Sequence, residues 1–576
     1  MTEGKFMRRS GAVCVVFCVW VLSISGARAQ TIPPGGNAQE ALRQQERERA
    51  FRAQQERAPD IRLERAVTPG VERLPDGESP CFRIDRIMLA GEAAAQFKWA
   101  LRAADPANDR ATGRCLGGEG IGLTMKRVQN AIVERGYVTT RVLAAPQDLK
   151  QGTLTLTVMP GRVRSVRFSE DSGHRATKWN AVPVRSGDIL NVRDIEQALE
   201  NFKRVPTVEA DIQIAPAQGP DAGPGDSDLV ITWKQAFPFR VTLSADDSGS
   251  EYTGKYQGSI TVSYDDWWAL NDLFYVSFNR DLGRRYGDGK GTRGYTAHYE
   301  VPYRYWLLSF TASGYDYRQS VAGANQTYVY SGSTENAELR LSRVLYRDAV
   351  RKTSAYIAGW LRNSHNYIED TEIEVQRRRM AGWEAGLTHR EFIAAGIVDA
   401  RLGYRRGTGM FSALAAPEEP FGEGTSRSAL ITADAQLNVP FEISKQRFRY
   451  TASWRAQWNR TPLVPQDRFQ IGGRYTVRGF DGESTLLGER GWLLRNDLGW
   501  AIGRTGQELY LGVDYGEVSG PSTQQLIGTR LAGAVAGVRG GYKHFIWDVF
   551  AGRPLSKPGG FQTASTTAGF NLVWSY

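Results

Sequence analysis

The stretch "TTAGFNLVWSY", residues 566–576, alternates apolar and polar side chains with a period of two. One face of an extended segment would carry Phe570, Leu572, Trp574 and Tyr576. Because successive side chains of a β-strand point to opposite sides, this pattern predicts a strand with one apolar and one polar face. The same alternation runs back through the chain to about residue 237.

Residues 237–576 therefore read as a series of antiparallel strands without long helices. Some connections look tight, such as 301–306, and others look long and polar, such as 319–336. Apolar outer faces, polar inner faces and abundant Tyr and Trp near strand ends predict a transmembrane β-barrel. At about 20 residues per strand and connection, the segment would hold roughly sixteen strands around an aqueous channel. A soluble β-sandwich is the alternative, but a sandwich rarely needs so long an uninterrupted segment.

Residues 1–29 have the composition of a secretory signal peptide. Lys5, Arg8 and Arg9 precede an apolar run over 11–24, and the small-residue site Ala27-Arg28-Ala29 follows. The run is too short for a spanning helix, which disfavours the alternative of an N-terminal membrane anchor. We expect cleavage after Ala29, which leaves the remaining chain outside the cytoplasm.

The next part of the chain is polar. Residues 30–57 contain a segment rich in Ala, Glu, Gln and Arg, which predicts a helix with no apolar face, suited to a solvated position or a polar lumen. Residues 58–80 hold four prolines and many charges, which predicts a linker.

Two small α+β modules are expected at 81–161 and 162–236, because the order of strands and helices repeats at a period of about 75 residues. The string "GGEGIG" at 117–122 lacks the spacing and context of a nucleotide-binding loop, and we interpret it as a turn before a helix.

The cysteines, histidines and net charge limit which disulfides, metal sites and partners are possible. Cys14 and Cys18 would leave with the signal peptide, so Cys81 and Cys115 are expected to form a disulfide. The five histidines are scattered without ligand spacing, so we expect neither a metal site nor a cofactor. The net charge of +10 is modest for this length and does not indicate nucleic-acid binding.

The chain resembles the transporters of two-partner secretion, the hemolysin secretion/activation type, over its whole length. The resemblance rests on the order of the parts and on five motifs: "CFRIDRIMLAG" (81–91), "GRCLG" (113–117), "VQNAIVERGYVTTRV" (128–142), "QDLKQGTLTLTVMPGRV" (147–163) and "IGGRYTVRGFDGE" (471–483). It implies that the modules are POTRA domains in the periplasm, that the barrel has sixteen strands in the bacterial outer membrane, and that the N-terminal helix can act as a removable plug.

The resemblance also implies roles for particular residues. The motif formed by Val477, Arg478, Gly479 and Phe480 would be the tip of a loop folded into the lumen. Its arginine would pair with Asp514 of the wall motif, in which Gly512 and Gly516 leave room for the loop. The aromatic terminal strand, with Phe570, Leu572, Trp574 and Tyr576, resembles the signal read by the barrel-assembly machinery.

The function implied is export, without ATP, of a large exoprotein that carries an N-terminal secretion domain. Within the family, the sequence looks closest to transporters of large hemolysins and contact-dependent inhibition toxins. The basic stretch 280–293 is either a solvated loop or one that faces anionic lipid or lipopolysaccharide. Alternatives are a barrel-assembly factor, a passive pore and an enzyme, although no catalytic nucleophile motif is present.

Overall fold

A computed structural model describes residues 36–56, 59–63, 73–218, 222–223, 225–283, 289–323 and 325–576. The predicted signal peptide at 1–29 lies outside these residues. Within this part of the chain, no helix is both long and apolar enough to cross a membrane. The first described element is the helix α1 (Gly36–Gln55), which is polar all round, as its composition predicts.

The first module packs short helices on a small sheet. Its elements are β1 (Phe82–Arg83), β2 (Arg86–Ala90), α2 (Ala94–Phe97), α3 (Leu101–Ala104), β3 (Cys115–Leu116), α4 (Gly118–Glu134), β4 (Arg141–Leu143) and β5 (Thr153–Met159). The main sheet has the order β2-β5-β4, with β2 parallel to β5. Apolar side chains on one face of α4 and of β5 form the core, among them Val128, Ile132, Leu154 and Leu156. A disulfide joins Cys81 to Cys115 across the β1–β3 pair.

One expectation for this module is wrong. The glycine-rich string at 117–122 is not a turn before the helix, because α4 already begins at Gly118. Its first backbone N–H groups have a partner from far along the chain: Glu78 accepts hydrogen bonds from the amides of Gly117, Glu119 and Gly120. A carboxylate at a helix N-terminus accepts from backbone N–H groups that have no partner within the helix. Glu78 therefore stabilises this glycine-rich start of α4.

The second module repeats this plan with β6 (Val163–Phe168), α5 (Val192–Lys203), β7 (Val208–Pro216) and β8 (Ser227–Gln235). The sheet order is β6-β8-β7, with β6 parallel to β8. One face of α5 packs its apolar residues, including Ile195 and Phe202, on this sheet. The other face is polar but equally buried, because it lies against the end of the barrel.

The barrel is closed and has sixteen long antiparallel strands plus one two-residue strand. In chain order the strands are β9 (Phe239–Asp246), β10 (Gln257–Asp265), β11 (Leu273–Asp281), β12 (Gly291–Tyr303), β13 (Trp306–Ala322), β14 (Thr327–Arg347), β15 (Arg351–Ile368), the short β16 (Thr371–Glu372), β17 (Arg378–Ile393), β18 (Gly396–Thr408), β19 (Ala429–Ile443) and β20 (Gln446–Asn459). After a loop that contains β21 (Phe469–Ile471) and β22 (Leu486–Gly488), the barrel continues with β23 (Arg490–Ala501), β24 (Glu508–Ser519), β25 (Arg530–Tyr542), β26 (Phe545–Ser556) and β27 (Thr567–Ser575).

The first and last strands close the barrel through a short seam. Five residue pairs join β27 to β9, from Asn571 with Asp246 to Ser575 with Thr242. The backbone amide of Tyr576 extends the seam with a hydrogen bond of 2.9 Å to the carbonyl of Val241.

Connections on the side of the two modules are short, as the sequence predicts, and several consist of only two residues, such as 304–305 and 394–395. The expected long loop at 319–336 is wrong, because β13 and β14 continue through it and leave only 323–326 between them. A hairpin that extends beyond the membrane needs no apolar face, and its polar composition therefore looks like that of a loop.

Candidate functional site

The interior of the barrel is polar and occupied. Helix α1 lies inside the lumen, where its side chains reach strands on different sides of the wall. The hydroxyl of Tyr315 on β13 donates to Glu40 at 2.6 Å, and the hydroxyl of Tyr275 on β11 donates to Glu56, just past the helix, at 2.9 Å. The lumen of this closed structure is therefore filled by a helix that contacts the wall mainly through polar groups.

A bidentate ion pair also joins α1 to the wall. Arg455 on β20 donates two hydrogen bonds to Glu46, at 2.7 and 2.6 Å, in a bidentate arrangement. Such pairs are shorter and stronger than neutral hydrogen bonds and fix orientation as well as distance. α1 also has apolar contacts, among them the edge-to-face packing of Phe51 on Tyr275 at 5.9 Å, and its Ala38 and Leu42 are buried.

A second element enters the lumen from the connection between β20 and β23. The strands β21 and β22 pair with each other, and the segment between them, which we call the lumen loop (472–485), folds inward. Val477 and Phe480 of this loop are buried in an apolar cluster with residues of β21 to β25. The ring of Phe480 packs edge-to-face on Phe561 at 5.8 Å. The loop is thus attached to the wall by a small apolar core of its own.

Arg478 lies at the tip of the lumen loop and is 5% exposed. Its Nε and Nη2 atoms donate to the two carboxylate oxygens of Asp514, at 2.7 and 2.8 Å, and its backbone amide donates to the same carboxylate at 3.0 Å. Asp514, on β24, is fully buried. The structure thus brings together the two residues that the resemblance pairs.

The glycines of the two motifs lie where a side chain would collide. Gly479 has a φ of +93°, and a Cβ there would lie 2.5 Å from the carbonyl oxygen of Arg553. A Cβ on Gly512 would lie 2.8 Å from Nη2 of Arg478, and one on Gly516 would lie 2.8 Å from a methyl group of Val477. Both wall glycines therefore permit the close approach of the loop.

The sequence motifs do not include a second carboxylate of this site. Nη2 of Arg478 also donates to Asp497 on β23 at 2.5 Å, and Asp497 accepts from Arg539 at 3.3 Å. Asp497 is directly opposite Gly512 in the register of β23 with β24. Gly533 is a further close contact, since a Cβ there would lie 1.9 Å from the carbonyl oxygen of Arg478. Only knowledge of which residues are paired across neighbouring strands would have pointed to Asp497 or Gly533 as part of this site.

The terminal-strand residues lie elsewhere. Phe570 stacks on Tyr256 with ring centroids 6.2 Å apart, and Trp574 and Tyr576 are exposed. Leu572 shares their outward face on β27, so all four face away from the lumen. The lumen loop reaches this strand at its backbone, since Arg474 donates to the carbonyl oxygen of Phe570 at 2.8 Å.

A sixteen-stranded barrel with two modules at one mouth and a polar lumen filled by two elements is the architecture of an outer-membrane transporter in a closed state. Comparison with known proteins gives the particular family. The sequence profile of the haemolysin secretion/activation protein ShlB/FhaC/HecB matches residues 225–540. A ShlB-type POTRA profile matches 82–161, and a second POTRA profile matches 162–216. The chain belongs to this haemolysin secretion/activation family.

Comparisons with individual proteins are consistent with this family. The chain is 38% identical to the outer membrane transporter CdiB-2 of Burkholderia pseudomallei (strain 1026b), over 95% of this chain and 97% of that protein. It is 24% identical to the hemolysin transporter protein ShlB of Serratia marcescens, over 84% of each. The solved structure of CdiB from Acinetobacter baumannii superposes with a TM-score of 0.82, at 29% identity over 95% of this chain and 100% of that one.

The protein is therefore an outer-membrane transporter of two-partner secretion, which exports exoproteins. Its two modules are POTRA domains and lie in the periplasm. This orientation places the short turns of the barrel on the periplasmic side and the lumen loop among the extracellular connections.

Proposed function

We propose that this transporter exports one dedicated large exoprotein, of the hemolysin or contact-dependent inhibition toxin class, without ATP and without catalysis of its own. The relatives named as CdiB transporters and as a hemolysin transporter support this client class. The client would carry an N-terminal secretion domain, reach the periplasm unfolded, pass through the lumen and fold outside. Folding outside would supply the direction of transport.

The observation that carries the proposal is the polar character of the contacts that close the lumen. The contacts of α1 with the wall include hydrogen bonds and ion pairs, which water or an extended polypeptide can replace at low cost in free energy. An apolar plug would have to expose its surface to water in order to leave. The lumen can therefore open without unfolding the barrel.

The lumen loop would hold the plug helix in place. Nη2 of Arg43 on α1 donates to the carbonyl oxygen of Gly482 in the loop at 2.6 Å. In this proposal Val477, Arg478, Gly479 and Phe480 anchor the loop, and Gly512, Asp514 and Gly516 form its seat on the wall. The contact with α1 lets the anchored loop hold the plug helix until a client arrives.

Client recognition is assigned to the POTRA domains. The strands β4 and β7 are edge strands of their sheets, which supports the addition of an extended client strand to either. We place the two domains at 81–161 and 162–236, after a plug segment at 30–57 and a linker at 58–80, with the barrel at 237–576.

Two further partners belong to biogenesis and to the membrane. The outward face of Phe570, Leu572, Trp574 and Tyr576 would be read by the barrel-assembly machinery before the seam closes. The basic stretch 280–293 would face lipopolysaccharide, and its described residues Arg280 and Arg293 lie near the extracellular ends of β11 and β12.

The test compares the culture medium of cells with and without the transporter, and measures the large secreted chain encoded beside it. Loss of that chain alone, with other outer-membrane proteins at normal levels, is the expected result. A general fall in outer-membrane proteins would instead indicate an assembly factor, and an unchanged medium would indicate a passive pore.

A further inference from the structure

The linker segment Pro59-Asp-Ile-Arg-Leu63 is held in an extended form between the second POTRA domain and the barrel. The backbone amide of Leu63 donates to Glu196 at 2.9 Å, and that of Ile61 donates to Glu200 at 3.4 Å. From the barrel side, Arg347 donates to the carbonyl oxygen of Ile61 at 2.6 Å. The segment is thus bound through its backbone from two sides.

Its side chains alternate in direction. Ile61 and Leu63 pack against the apolar core of the second POTRA domain. Arg62 turns the other way, with its guanidinium carbon 3.2 Å from the centre of the Phe392 ring at the end of β17. An extended peptide with apolar residues at alternate positions and a basic residue between them fits this site.

The walls of the site are charged and buried. Arg347 bridges the two glutamates of α5, with distances of 3.0 Å to Glu196 and 2.9 Å to Glu200, and the side chains of all three are at most 5% exposed. Burial alone would raise the pKa of Glu200, but Lys352 and Arg347 beside it lower this pKa below its usual value, so the carboxylate stays charged. We call the set formed by Glu196, Glu200, Arg347 and Phe392 the linker clamp.

We propose that the linker clamp is a binding site for an extended peptide, that the linker segment 59–63 is its resident occupant, and that an extended segment of the exported chain displaces it. Charged side chains that bind a peptide backbone recognise extended conformation, while the alternating pockets select side chains. The linker segment follows the end of α1 by only a few residues. Its displacement from the linker clamp would therefore release the C-terminal end of the plug helix from the second POTRA domain.

The second half of this inference rests on the proposed function, whereas the clamp itself does not. The test uses the purified full-length transporter and a fluorescent peptide that copies residues 58–65, with binding followed by anisotropy. In the wild type the resident segment competes as part of the same chain, at a high effective concentration. The variant I61D/L63D should lose the resident occupant and bind the peptide at least tenfold more tightly.

Two companion variants locate the binding. Adding Arg347→Ala to I61D/L63D should weaken peptide binding at least tenfold, because the basic partner of the peptide backbone is gone. Adding L143D/I214D, which places the same two charges on the exposed edge strands β4 and β7, should leave binding unchanged. A control peptide that has Asp at the positions of Ile61 and Leu63 should bind neither the wild type nor any of these variants.

The inference is overturned if the wild type and I61D/L63D bind the peptide equally, if neither binds it, or if L143D/I214D abolishes binding. The secretion domain of the neighbouring exoprotein is then added as competitor, and it should displace the peptide; failure to do so overturns the client step. Secretion by the wild type is measured separately. A transporter that secretes normally but shows none of this binding refutes the clamp alone, and one that binds but does not secrete refutes the proposed function.

Discussion

Arg478 and Arg347 are both buried, and each is bound by two carboxylates, but they connect different parts of the molecule. Arg478 joins a loop to the wall of its own barrel, and its partner Asp514 is 36 residues away in the chain. Arg347 joins a barrel turn to the second POTRA domain and the linker, and Glu196 is 151 residues away. The chemistry is the same, but only the first site lies in recognisable motifs.

The two sites also differ in what remains when the arginine is removed. Asp514 would keep the backbone amide of residue 478 and, among the charged side chains that the structure describes, Arg495, whose Nε lies 3.8 Å away. Glu200 would keep Lys352, whose Nζ lies 2.9 Å from it. Because the cation that remains beside Asp514 is more distant than the one that remains beside Glu200, we expect the larger effect in the lumen.

The largest effect is therefore expected for Arg478→Ala. Removing one partner of a buried pair costs about 3–5 kcal/mol, which should loosen the loop tip even though Val477 and Phe480 still pack on the wall. Secretion of the client should fall at least tenfold, while the variant still inserts into the outer membrane because the terminal strand is unchanged. The measurements are the client in the medium, transporter levels in the membrane, and the heat-modifiable migration of the barrel.

Arg427→Ala is the matched control, since this arginine is exposed on an extracellular connection. It should secrete like the wild type. Equal secretion by Arg478→Ala and Arg427→Ala, at equal membrane levels, would contradict a role of the buried pair in transport.

Arg347→Ala should have the next largest effect, at the junction rather than in the barrel. Glu196 keeps Arg193 and Glu200 keeps Lys352. We therefore expect the contact between α5 and the barrel to lose less than the roughly 3–5 kcal/mol that a fully unpaired buried charge costs. Limited proteolysis should cut the linker around 56–73 several-fold faster, with the heat-modifiable migration of the barrel unchanged.

Arg351→Ala is the matched control, because Arg351 lies near Arg347 but is half-exposed and pairs with Glu391 on the surface. It tests whether loss of any arginine in this region exposes the linker to protease. Its linker should resist proteolysis as the wild type does. If both variants are cut at the same rate, the buried cluster does not hold the linker.

The same contrast explains how far the sequence predicts the structure. Alternation at period two predicts the strands because lipid requires an apolar outer face, and this requirement ends where β13 and β14 leave the membrane at 319–336. The pairing of Arg478 with Asp514 follows from motifs. The contacts of Asp497 and Arg347 depend on strand register and on how a POTRA domain docks, and neither leaves a local pattern in the sequence.

Glu46→Gln extends the comparison to a pair that would break if α1 leaves the lumen during transport, as we propose. Its bidentate pair with Arg455 is charge-assisted and contributes about 1.5–3 kcal/mol, so the neutral amide should let α1 leave the lumen more often. We expect about a tenfold rise in open-channel events in planar bilayers. Glu48→Gln, which loses an acceptor of the Ser313 hydroxyl at 3.2 Å, should change them less. Equal conductance in Glu46→Gln and wild type would show that this pair does not hold the plug.

Glu78→Gln is expected to have the smallest effect, because among the residues that the structure describes this carboxylate binds backbone amides and no arginine. The hydrogen bonds from Gly117, and from Gly120 and Glu119, lower the pKa of Glu78 below its usual value. A carboxyl whose pKa is lower in the folded chain stabilises the fold above its unfolded pKa, and this contribution disappears as the pH falls through the folded value.

Hydrogen exchange of the first amides of α4 in the full-length protein can measure this contribution. At neutral pH these amides should exchange a few-fold faster in Glu78→Gln than in the wild type, and the difference should vanish in acid once Glu78 is protonated in both states of the chain. Glu119→Gln is the control, since Glu119 is exposed in the first turn of the same helix and any effect through the helix dipole alone would appear there too. A difference between Glu78→Gln and wild type that persists unchanged in acid would mean that the shape of the side chain, and not its charge, holds the start of α4.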